Sequence, residues 1–304
     1  MYVARLLLIS SLLLLSSCKK GGDSAKPGST TGETSSTGIA APDITLDFGI
    51  YATDQADTVI GEHRPTLDAL EVALADKLGK TVKISTRLSN TYEGGVDQIV
   101  NGDVDFAKLG PASYILAKKQ NPALRLLAQE AKGGKKVFKG IIAVHKDSPI
   151  SSLSELKGKS FAFGDEQSTI GRYLSQQQLV EAGVLGSDLS NYEYLERHDI
   201  VGEAVGAKKF DAGALKESTF KKQKAAGVPI KQLMAFENIT KPWIAASDLD
   251  PKVAEALSAS LLELKDEAAL KALRTGGFVA STDSEYDFVR DGMQKSELFT
   301  NKAK

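Results

Sequence analysis

The stretch VDFAKLGPASY, residues 104–114, indicates the fold most directly. Apolar residues dominate Val104–Leu109, which predicts a short buried strand. Gly110 ends that strand, and Pro111 suits the first turn of a helix because its missing N–H would have no intrahelical partner there. A strand that passes directly into a helix is the repeating unit of α/β proteins.

The same unit recurs on both sides of this stretch. Toward the N-terminus, Ile44–Tyr51 and Thr81–Leu88 are predicted strands, and Pro65 predicts the start of a helix that Gly79 ends. Further elements are predicted as a helix at 91–101, strands at 124–128, 138–145, 160–163, 192–195 and 210–213, helices at 169–182 and 200–206, and a mostly helical tail at 251–294. This alternation predicts an α/β fold with largely parallel sheets.

Length and composition exclude several classes of protein. The chain has 304 residues, enough for two domains, and its 38 basic and 39 acidic residues leave a net charge of -1. A nucleic-acid binder usually has a clear basic excess, so we expect no nucleic-acid partner. The single cysteine excludes an internal disulfide, and three scattered histidines argue against a metal site.

The N-terminus has the features of an export signal. Arg5 precedes the apolar run Leu6–Leu15, which is shorter than the ~20 residues that a bilayer-spanning helix needs. The sequence Leu-Ser-Ser-Cys that ends at Cys18 resembles a bacterial lipobox, which implies that residues 1–17 are a lipoprotein signal peptide and that Cys18 is lipidated. The alternative is a plain signal peptide with a chance cysteine. Residues 18–42 contain almost nothing apolar and are predicted to be a flexible, lipid-anchored tether.

Four predicted strand-to-helix junctions carry hydroxyl or imidazole side chains. They lie near residues 89–92, 110–113, 167–169 and 197–199. The first N–H groups of a helix have no intrahelical partner, and that end of the helix is electropositive. If these helix starts meet at one point, they form an anion site without a lysine cluster. The alternative is that each junction is an ordinary helix cap.

Eight short segments, in this order, resemble the solute-binding components of bacterial ABC importers for phosphate, phosphite and phosphonates. The segments are Phe48–Tyr51, Gly102–Ala107, Gly110–Tyr114, Lys146–Ile150, Leu156–Lys159, Ser168–Gly171, His198–Asp199 and Phe210–Ala214. The resemblance covers the chain from about residue 44 to its C-terminus. It implies an α/β, two-lobed periplasmic-binding-protein type II clamshell with a two-segment hinge.

The resemblance also implies boundaries, partners and location. The first lobe is expected at 43–139 plus 245–304 and the second at 140–244, with crossovers near Phe138–Gly140 and Lys241–Ala245. A protein of this kind captures a small anion without chemistry or a cofactor and delivers it to ABC permease and ATPase subunits. We expect a monomer on the extracytoplasmic side of a bacterial membrane, attached through its lipid anchor.

By the same resemblance, particular residues are candidates for ligand binding. Tyr92 should contact the anion from the first lobe, and Ser168 and Thr169 should donate hydrogen bonds from the second. His198 is expected beside them, and Gly171 should let the helix start approach closely. The remaining candidates are Tyr51, Ser113 and Tyr114, which should face the cleft.

Asp211 has two interpretations. It either supports the pocket as a strand-end residue or accepts a hydrogen bond from a singly protonated oxyanion. Together, Ser168, His198 and Asp211 also have the side chains of a hydrolase triad on a tethered enzyme. Ser168 lies in Glu-Gln-Ser-Thr-Ile, however, and lacks the Gly-x-Ser-x-Gly elbow that exposes a nucleophile.

Departures from the family pattern bear on the ligand. Members that bind aminoalkylphosphonates have a tyrosine near Phe138, an acid near Lys241 and a second acid at about Ser218, beside Glu217. They also have a serine where this chain has Ile170. Fewer carboxylates and an added lysine disfavour a cationic amine, so the expected ligand is phosphate, phosphite or a simple phosphonate. The alternatives are a non-phosphorus anion in the same clamshell, or a sensor or scavenger role.

Overall fold

Two β-sheets organise the chain, and the computed structural model describes residues 41–300. The predicted signal peptide, Cys18 and residues 18–40 of the predicted tether lie outside the described residues. Within residues 41–300, no helix combines the length and hydropathy that a bilayer-spanning segment needs.

Strands and helices alternate along most of the described chain. The strands are β1 (Ile44–Tyr51), β2 (Val82–Ser89), β3 (Phe106–Lys108), β4 (Arg125–Glu130), β5 (Val137–His145), β6 (Ser160–Phe163), β7 (Asn191–Tyr194), β8 (Ala212–Lys216), β9 (Ile230–Ile239), β10 (Pro242–Ala245) and β11 (Phe278–Val279). The helices are α1 (Ala56–Leu78), α2 (Tyr92–Asn101), α3 (Pro111–Gln120), α4 (Leu174–Glu181), α5 (His198–Gly206), α6 (Glu217–Ala225), α7 (Pro251–Glu263), α8 (Glu267–Leu273) and α9 (Asp287–Thr300). A single π-helical turn, Thr169–Tyr173, precedes α4.

The prediction for the first helix was right at its end and wrong at its start. Gly79 closes α1 in the left-handed conformation, with φ of 64°. The helix begins nine residues before Pro65, at Ala56, so the proline lies inside it. Pro65 cannot donate to the carbonyl of Gly61, but Gly61 is exposed and its carbonyl can bind water instead.

The two sheets are mixed rather than largely parallel, which corrects the prediction. The first has the order β11-β4-β10-β3-β1-β2 and the second the order β7-β6-β8-β5-β9. Strand β1 is parallel to β2 and β3, and β6 is parallel to β7 and β8. The antiparallel pairs arise because β5 carries the chain into the second sheet, β9 carries it back alongside, and β10 re-enters the first sheet.

We call the residues around the six-stranded sheet the first lobe and those around the five-stranded sheet the second lobe. The chain crosses between the sheets at residues 131–136 and 240–241, and Thr240 N donates to the carbonyl of Lys136 at 2.9 Å. The expected crossovers are displaced, because Phe138–Gly140 lies inside β5 and Pro242–Ala245 is strand β10 of the first sheet. Pro242–Ala245 is apolar and fully buried, so its composition does not indicate which sheet it joins.

The C-terminal helix also departs from the expected division. We expected residues 245–304 in the first lobe, but α9 packs against α4 of the second. Phe299 is buried against Phe163, with ring centroids 5.4 Å apart, and Lys295 pairs with Glu181 at 2.8 Å. The described chain therefore joins the two lobes through this helix as well as through the two crossovers.

Helices cover both faces of each sheet. On the first sheet, Leu67 of α1 and Leu257 of α7 pack on the face that Trp243 shares, while α2 and α3 cover the opposite face. In the second, α4 packs against Phe161 and Phe163, and α5 and α6 cover the other face. Because both faces are covered, the central strands are largely buried, and the carboxyl ends of the parallel strands are where polar side chains can gather.

Candidate functional site

A cavity of about 70 Å³ lies between the two lobes. Helix α2 begins at Tyr92, α3 at Pro111, the π-helical turn at Thr169 and α5 at His198, and all four residues line the cavity. Each of these helix starts follows the carboxyl end of a strand, as the junctions predicted. The structure therefore gathers four electropositive helix ends around one small space.

Ser168 and Thr169 line the second-lobe side of this cavity. Ser168 Oγ caps the turn by accepting a hydrogen bond from Gly171 N at 2.9 Å. Thr169 Oγ1 accepts from Ala112 N at 2.9 Å, and this bond crosses from the first lobe to the second. Both oxygens act as acceptors in these bonds, so each hydroxyl retains a proton that it can donate to a ligand.

Gly171 shapes the turn without lining the cavity. Gly164 N donates to the carbonyl of Gly171 at 2.8 Å, and a Cβ at Gly171 would lie 2.8 Å from the Cα of Gly164. A side chain at this position would therefore push the turn away from the end of β6. The close approach observed at Gly171 is therefore to the backbone of Gly164, and the expectation that Gly171 belongs to the ligand site stays a prediction.

Two stacked tyrosines form much of the first-lobe wall. The rings of Tyr51 and Tyr92 lie 4.1 Å apart, and both residues line the cavity. The Tyr51 hydroxyl accepts from Gly110 N at 2.6 Å and shares a hydrogen bond with Ser113 Oγ at 3.0 Å. Burial raises the pKa of Tyr51 to about 12 and holds that of Tyr92 well above its ordinary value. Both phenols are therefore neutral near pH 7, and Ser113 supports Tyr51 from behind the wall.

His198 is a neutral group in the second-lobe wall. The residue is 4% exposed, and burial together with the nearby Lys216 ammonium lowers its pKa to about 3. Its Nδ1 atom makes no hydrogen bond within residues 41–300. A buried imidazole nitrogen without a partner is costly, so a polar ligand group within its reach would be stabilising.

Lys216 stands at the carboxyl end of β8 and was missed by the sequence analysis. It lines the cavity, and its ammonium donates to the carboxylate of Asp54 and, at 3.0 Å, to Thr53 Oγ1. Burial raises the pKa of Asp54, but the Lys216 ammonium outweighs burial and holds that pKa below its ordinary value. Because Asp54 belongs to the first lobe, this ion pair bridges the cleft. Lys216 immediately precedes α6, so it lies at a strand-to-helix junction of the kind that made His198 a candidate for ligand binding.

A second buried ion pair lies in the first-lobe wall and was also missed. Lys108 Nζ lies 2.7 Å from Glu130 Oε1 and 3.0 Å from His63 Nε2, while Trp243 Nε1 donates to Glu130 at 3.3 Å. Burial lowers the pKa of Lys108 to about 8. The sequence did contain a signal for this pair, because Lys108 is the one charged residue of the short, apolar strand β3.

Four candidates do not line the cavity: Gly171 and Ser113, which are described above, and Tyr114 and Asp211. The Tyr114 hydroxyl donates to Asp283 Oδ1 at 2.7 Å, and its ring packs against Tyr286. Asp211 precedes β8, where its Oδ2 accepts from Ser160 N at 2.9 Å and from Ser160 Oγ at 3.0 Å. Tyr114 therefore does not face the cavity as expected, and the interpretation in which Asp211 bonds the oxyanion has no support in this position.

The position of Asp211 also removes the hydrolase alternative. Asp211 binds Ser160 at the amino ends of the parallel strands β6 and β8, whereas the cavity lies at their carboxyl ends. A triad needs its acid beside the histidine, so Ser168, His198 and Asp211 do not form one.

Comparisons with known proteins identify the family that the chain resembles. The model of the family described as "ABC transporter, phosphonate, periplasmic substrate-binding protein" matches residues 48–286. The chain is 26% identical over 309 aligned residues to a phosphate-import protein of Mycolicibacterium smegmatis, and the match covers 91% of each chain. It is 28% identical over 186 residues to a probable ABC transporter phosphite-binding protein of Prochlorococcus marinus, covering 56% of this chain and 61% of that relative.

A solved structure shares the fold. The Prochlorococcus marinus protein PhnD1, in complex with methylphosphonate, superposes with a TM-score of 0.72 at 22% identity. The superposition covers 83% of this chain and 98% of the other. At this level of identity, the likeness concerns the arrangement of strands and helices.

Proposed function

The chain belongs to the family of periplasmic substrate-binding proteins of phosphonate ABC transporters, and from that premise we propose that it captures a phosphorus oxyanion for import. The ligand class is phosphate, phosphite or a simple phosphonate, held between the lobes and delivered to a permease. The observation that carries this proposal is the meeting of four helix starts at one cavity between the lobes.

The residues of the cavity suit an oxyanion. The hydroxyls of Ser168 and Thr169 and the phenol of Tyr92 offer protons, and the adjoining helix starts offer backbone N–H groups. Hydrogen bonds to a charged acceptor are stronger than those between neutral groups, so these donors can replace the hydration of the anion. The named ligands of the relatives, phosphate and phosphite, and the methylphosphonate of PhnD1 support phosphorus as the central atom.

We further propose that capture involves closure of the two lobes. The described residues make contacts across the cleft, including the Lys216–Asp54 ion pair and the hydrogen bond from Ala112 N to Thr169. Bending at residues 131–136 and 240–241 would separate these partners and admit the ligand. In the closed form the protein would dock on the permease, and ATP hydrolysis in the ATPase subunits would power release.

The location of the protein follows in part from its family, whose members are periplasmic. We propose in addition that residues 1–17 are removed, that Cys18 is lipidated, and that residues 18–42 tether a monomer to the membrane surface. The Cys18→Ser variant should then appear in the soluble extracytoplasmic fraction, whereas the native chain stays with the membrane. Retention of the variant on the membrane would contradict the anchor.

Thermal unfolding of the purified chain tests the ligand class. Phosphate, phosphite, methylphosphonate, sulfate and nitrate would be compared at matched ionic strength. A ligand at ~100 times its Kd adds ~2.7 kcal/mol, which raises the Tm of a body this size by roughly 5–10 °C. We expect this rise with at least one phosphorus oxyanion. No rise with any of the three would refute the proposal, and a rise with sulfate or nitrate alone would favour a non-phosphorus anion.

Substitutions then test the site. Ser168→Ala and Thr169→Ala should each weaken binding by ~1.5–3 kcal/mol, because each hydroxyl would bond a charged group. Ser190→Ala is the matched control, since Ser190 is exposed and does not line the cavity. Unchanged affinity in both site variants would move the binding site elsewhere.

A further inference from the structure

The hinge side of the cavity contains an amide without a hydrogen-bond partner among the described residues. Asn238, near the end of β9, is 1% exposed and lines the cavity. Neither its Nδ2 nor its Oδ1 has a hydrogen-bond partner within residues 41–300. Buried polar groups are nearly always paired, and an unpaired buried amide destabilises the fold. A polar group supplied from the cavity would remove that cost.

Lys241 stands at the same end of the cavity and differs from its neighbours. Lys108 pairs with Glu130 and Lys216 pairs with Asp54, whereas across the described chain no carboxylate oxygen lies within 4.0 Å of Lys241 Nζ. Its nearest described partner is the ring of Phe138, whose centroid is 5.6 Å away. The charge of Lys241 also contributes to lowering the pKa values of Lys108 and Lys216. The hinge side therefore carries one ammonium more than its carboxylates neutralise.

Acidic groups do not offset this excess. Among residues 41–300, Glu62 is the carboxylate that lines the cavity, and it pairs with Arg274 at 2.7 Å. A positively charged ligand group at this end would meet three ammonium groups, whereas a negatively charged one would find an unpaired cation and the free amide of Asn238.

The cavity has room to extend in this direction. A second cavity of about 570 Å³ adjoins it, and the two share Glu62, Lys108, Phe138, Lys216 and Lys241 in their walls. The second cavity is also lined by Glu130, Glu217 and Glu237, but its lysines and Arg274 outnumber its carboxylates. A ligand whose phosphorus end lies at Ser168 and Thr169 can therefore direct a substituent longer than a methyl group toward the hinge.

We propose that Asn238 and Lys241 form a subsite for a carboxylate on the ligand, so that the preferred substrates are phosphonocarboxylates such as phosphonoacetate. This inference rests on the proposed function and narrows it. The phosphonate occupies the hydroxyl-lined end, and the carboxylate accepts hydrogen bonds from Lys241 Nζ and Asn238 Nδ2. Both bonds involve an ionised acceptor, which makes them stronger than neutral hydrogen bonds.

Isothermal titration of the full chain at fixed salt tests the subsite with phosphonoacetate, methylphosphonate and aminoethylphosphonate. Phosphonoacetate should bind at least tenfold more tightly than methylphosphonate, and aminoethylphosphonate should bind most weakly. In Lys241→Met the ratio of the first two affinities should fall to near one. Lys139→Met, which removes an exposed lysine from the wall of the second cavity alone, should keep the native ratio.

A second variant distinguishes the loss of the subsite from a folding defect. Asn238→Leu removes two unpaired polar atoms with little change of volume, so it should fold and still lose the preference for phosphonoacetate. Equal affinities for phosphonoacetate and methylphosphonate in the native chain would overturn the subsite and leave the proposed function intact. If no phosphorus anion binds, the proposed function fails and the subsite falls with it.

Discussion

Replacing Asp54 by Asn tests whether the ion pair across the cleft holds the lobes together. Asp54 and Lys216 belong to different lobes, and their side chains are only 14% and 12% exposed. The substitution keeps the shape of the side chain and removes its charge. In the closed form Lys216 would then be a largely buried cation without a counterion, whereas in an open form both residues would be solvated. The loss therefore falls on the closed form alone.

The size of the effect follows from the burial of the pair. Removing one partner of a fully buried ion pair costs about 3–5 kcal/mol, and residual exposure reduces this to roughly 2–3 kcal/mol here. Because every 1.4 kcal/mol is tenfold in affinity, the Kd for methylphosphonate should rise roughly 30- to 150-fold.

Titration calorimetry measures this Kd, and urea unfolding shows whether the variant remains folded. Asp47→Asn is the control, since it breaks an exposed pair with Arg87, 2.9 Å apart and within the first sheet. Exposed pairs contribute about 0–1 kcal/mol, so the control should keep the native Kd. A folded Asp54→Asn protein that binds methylphosphonate within threefold of the native Kd would refute the role of this pair in closure.

Three further changes test the walls of the cavity. Gly171→Ala places a Cβ 2.8 Å from the Cα of Gly164 and should lower the free energy of unfolding by about 1–3 kcal/mol in urea; an unchanged value would show that the turn can shift freely. The pKa of His198 is about 3 in the folded chain and 6.5 ordinarily, so between these pH values the unfolded chain binds a proton at His198 that the folded chain does not. The free energy of unfolding is therefore unaffected by His198 above pH 6.5 and decreases as the pH falls toward 3. Between pH 7.5 and pH 5 the free energy of unfolding of the native protein should therefore fall by roughly 2 kcal/mol more than that of a folded His198→Gln protein. Equal falls for the two proteins in urea unfolding would contradict this. Lys108→Met leaves Glu130 buried without its cation and should cost about 3–5 kcal/mol, of which a second change, Glu130→Gln, should restore most; additive losses in a double-mutant cycle would count against the pair.

Local sequence predicted the four helix starts around the cavity well because their signals lie within a few residues of each other. Thr91 caps α2 by accepting a hydrogen bond from Gly94 N at 3.0 Å, and Ser168 caps the π-helical turn. Pro111 begins α3, as its position after Gly110 predicted. These contacts depend on the neighbouring backbone alone, so they could be predicted from residue type and order.

Predictions that depended on the direction of a strand were less secure. Asp211 and Lys216 lie at opposite ends of β8, five residues apart, and only Lys216 reaches the cavity. Tyr114 follows Ser113 on α3, but the helical rotation between them directs Tyr114 toward Tyr286 and away from the cleft. Residue type marked both Asp211 and Tyr114 as candidates, but their surroundings come from elements far away in the chain.

By itself, the sequence determined the α/β class, the four helix starts around the cavity and several of the polar groups at the carboxyl ends of the strands. Only the tertiary structure decided that β5, β9 and β10 make the sheets mixed, that α9 packs on the second lobe, and which lysines have counterions. The reason is the range of the interactions. A cap or a turn is formed by neighbours in the chain, whereas Lys108 contacts Glu130 and Lys216 contacts Asp54 only after distant strands pair. The same packing leaves Lys241 without a counterion among residues 41–300.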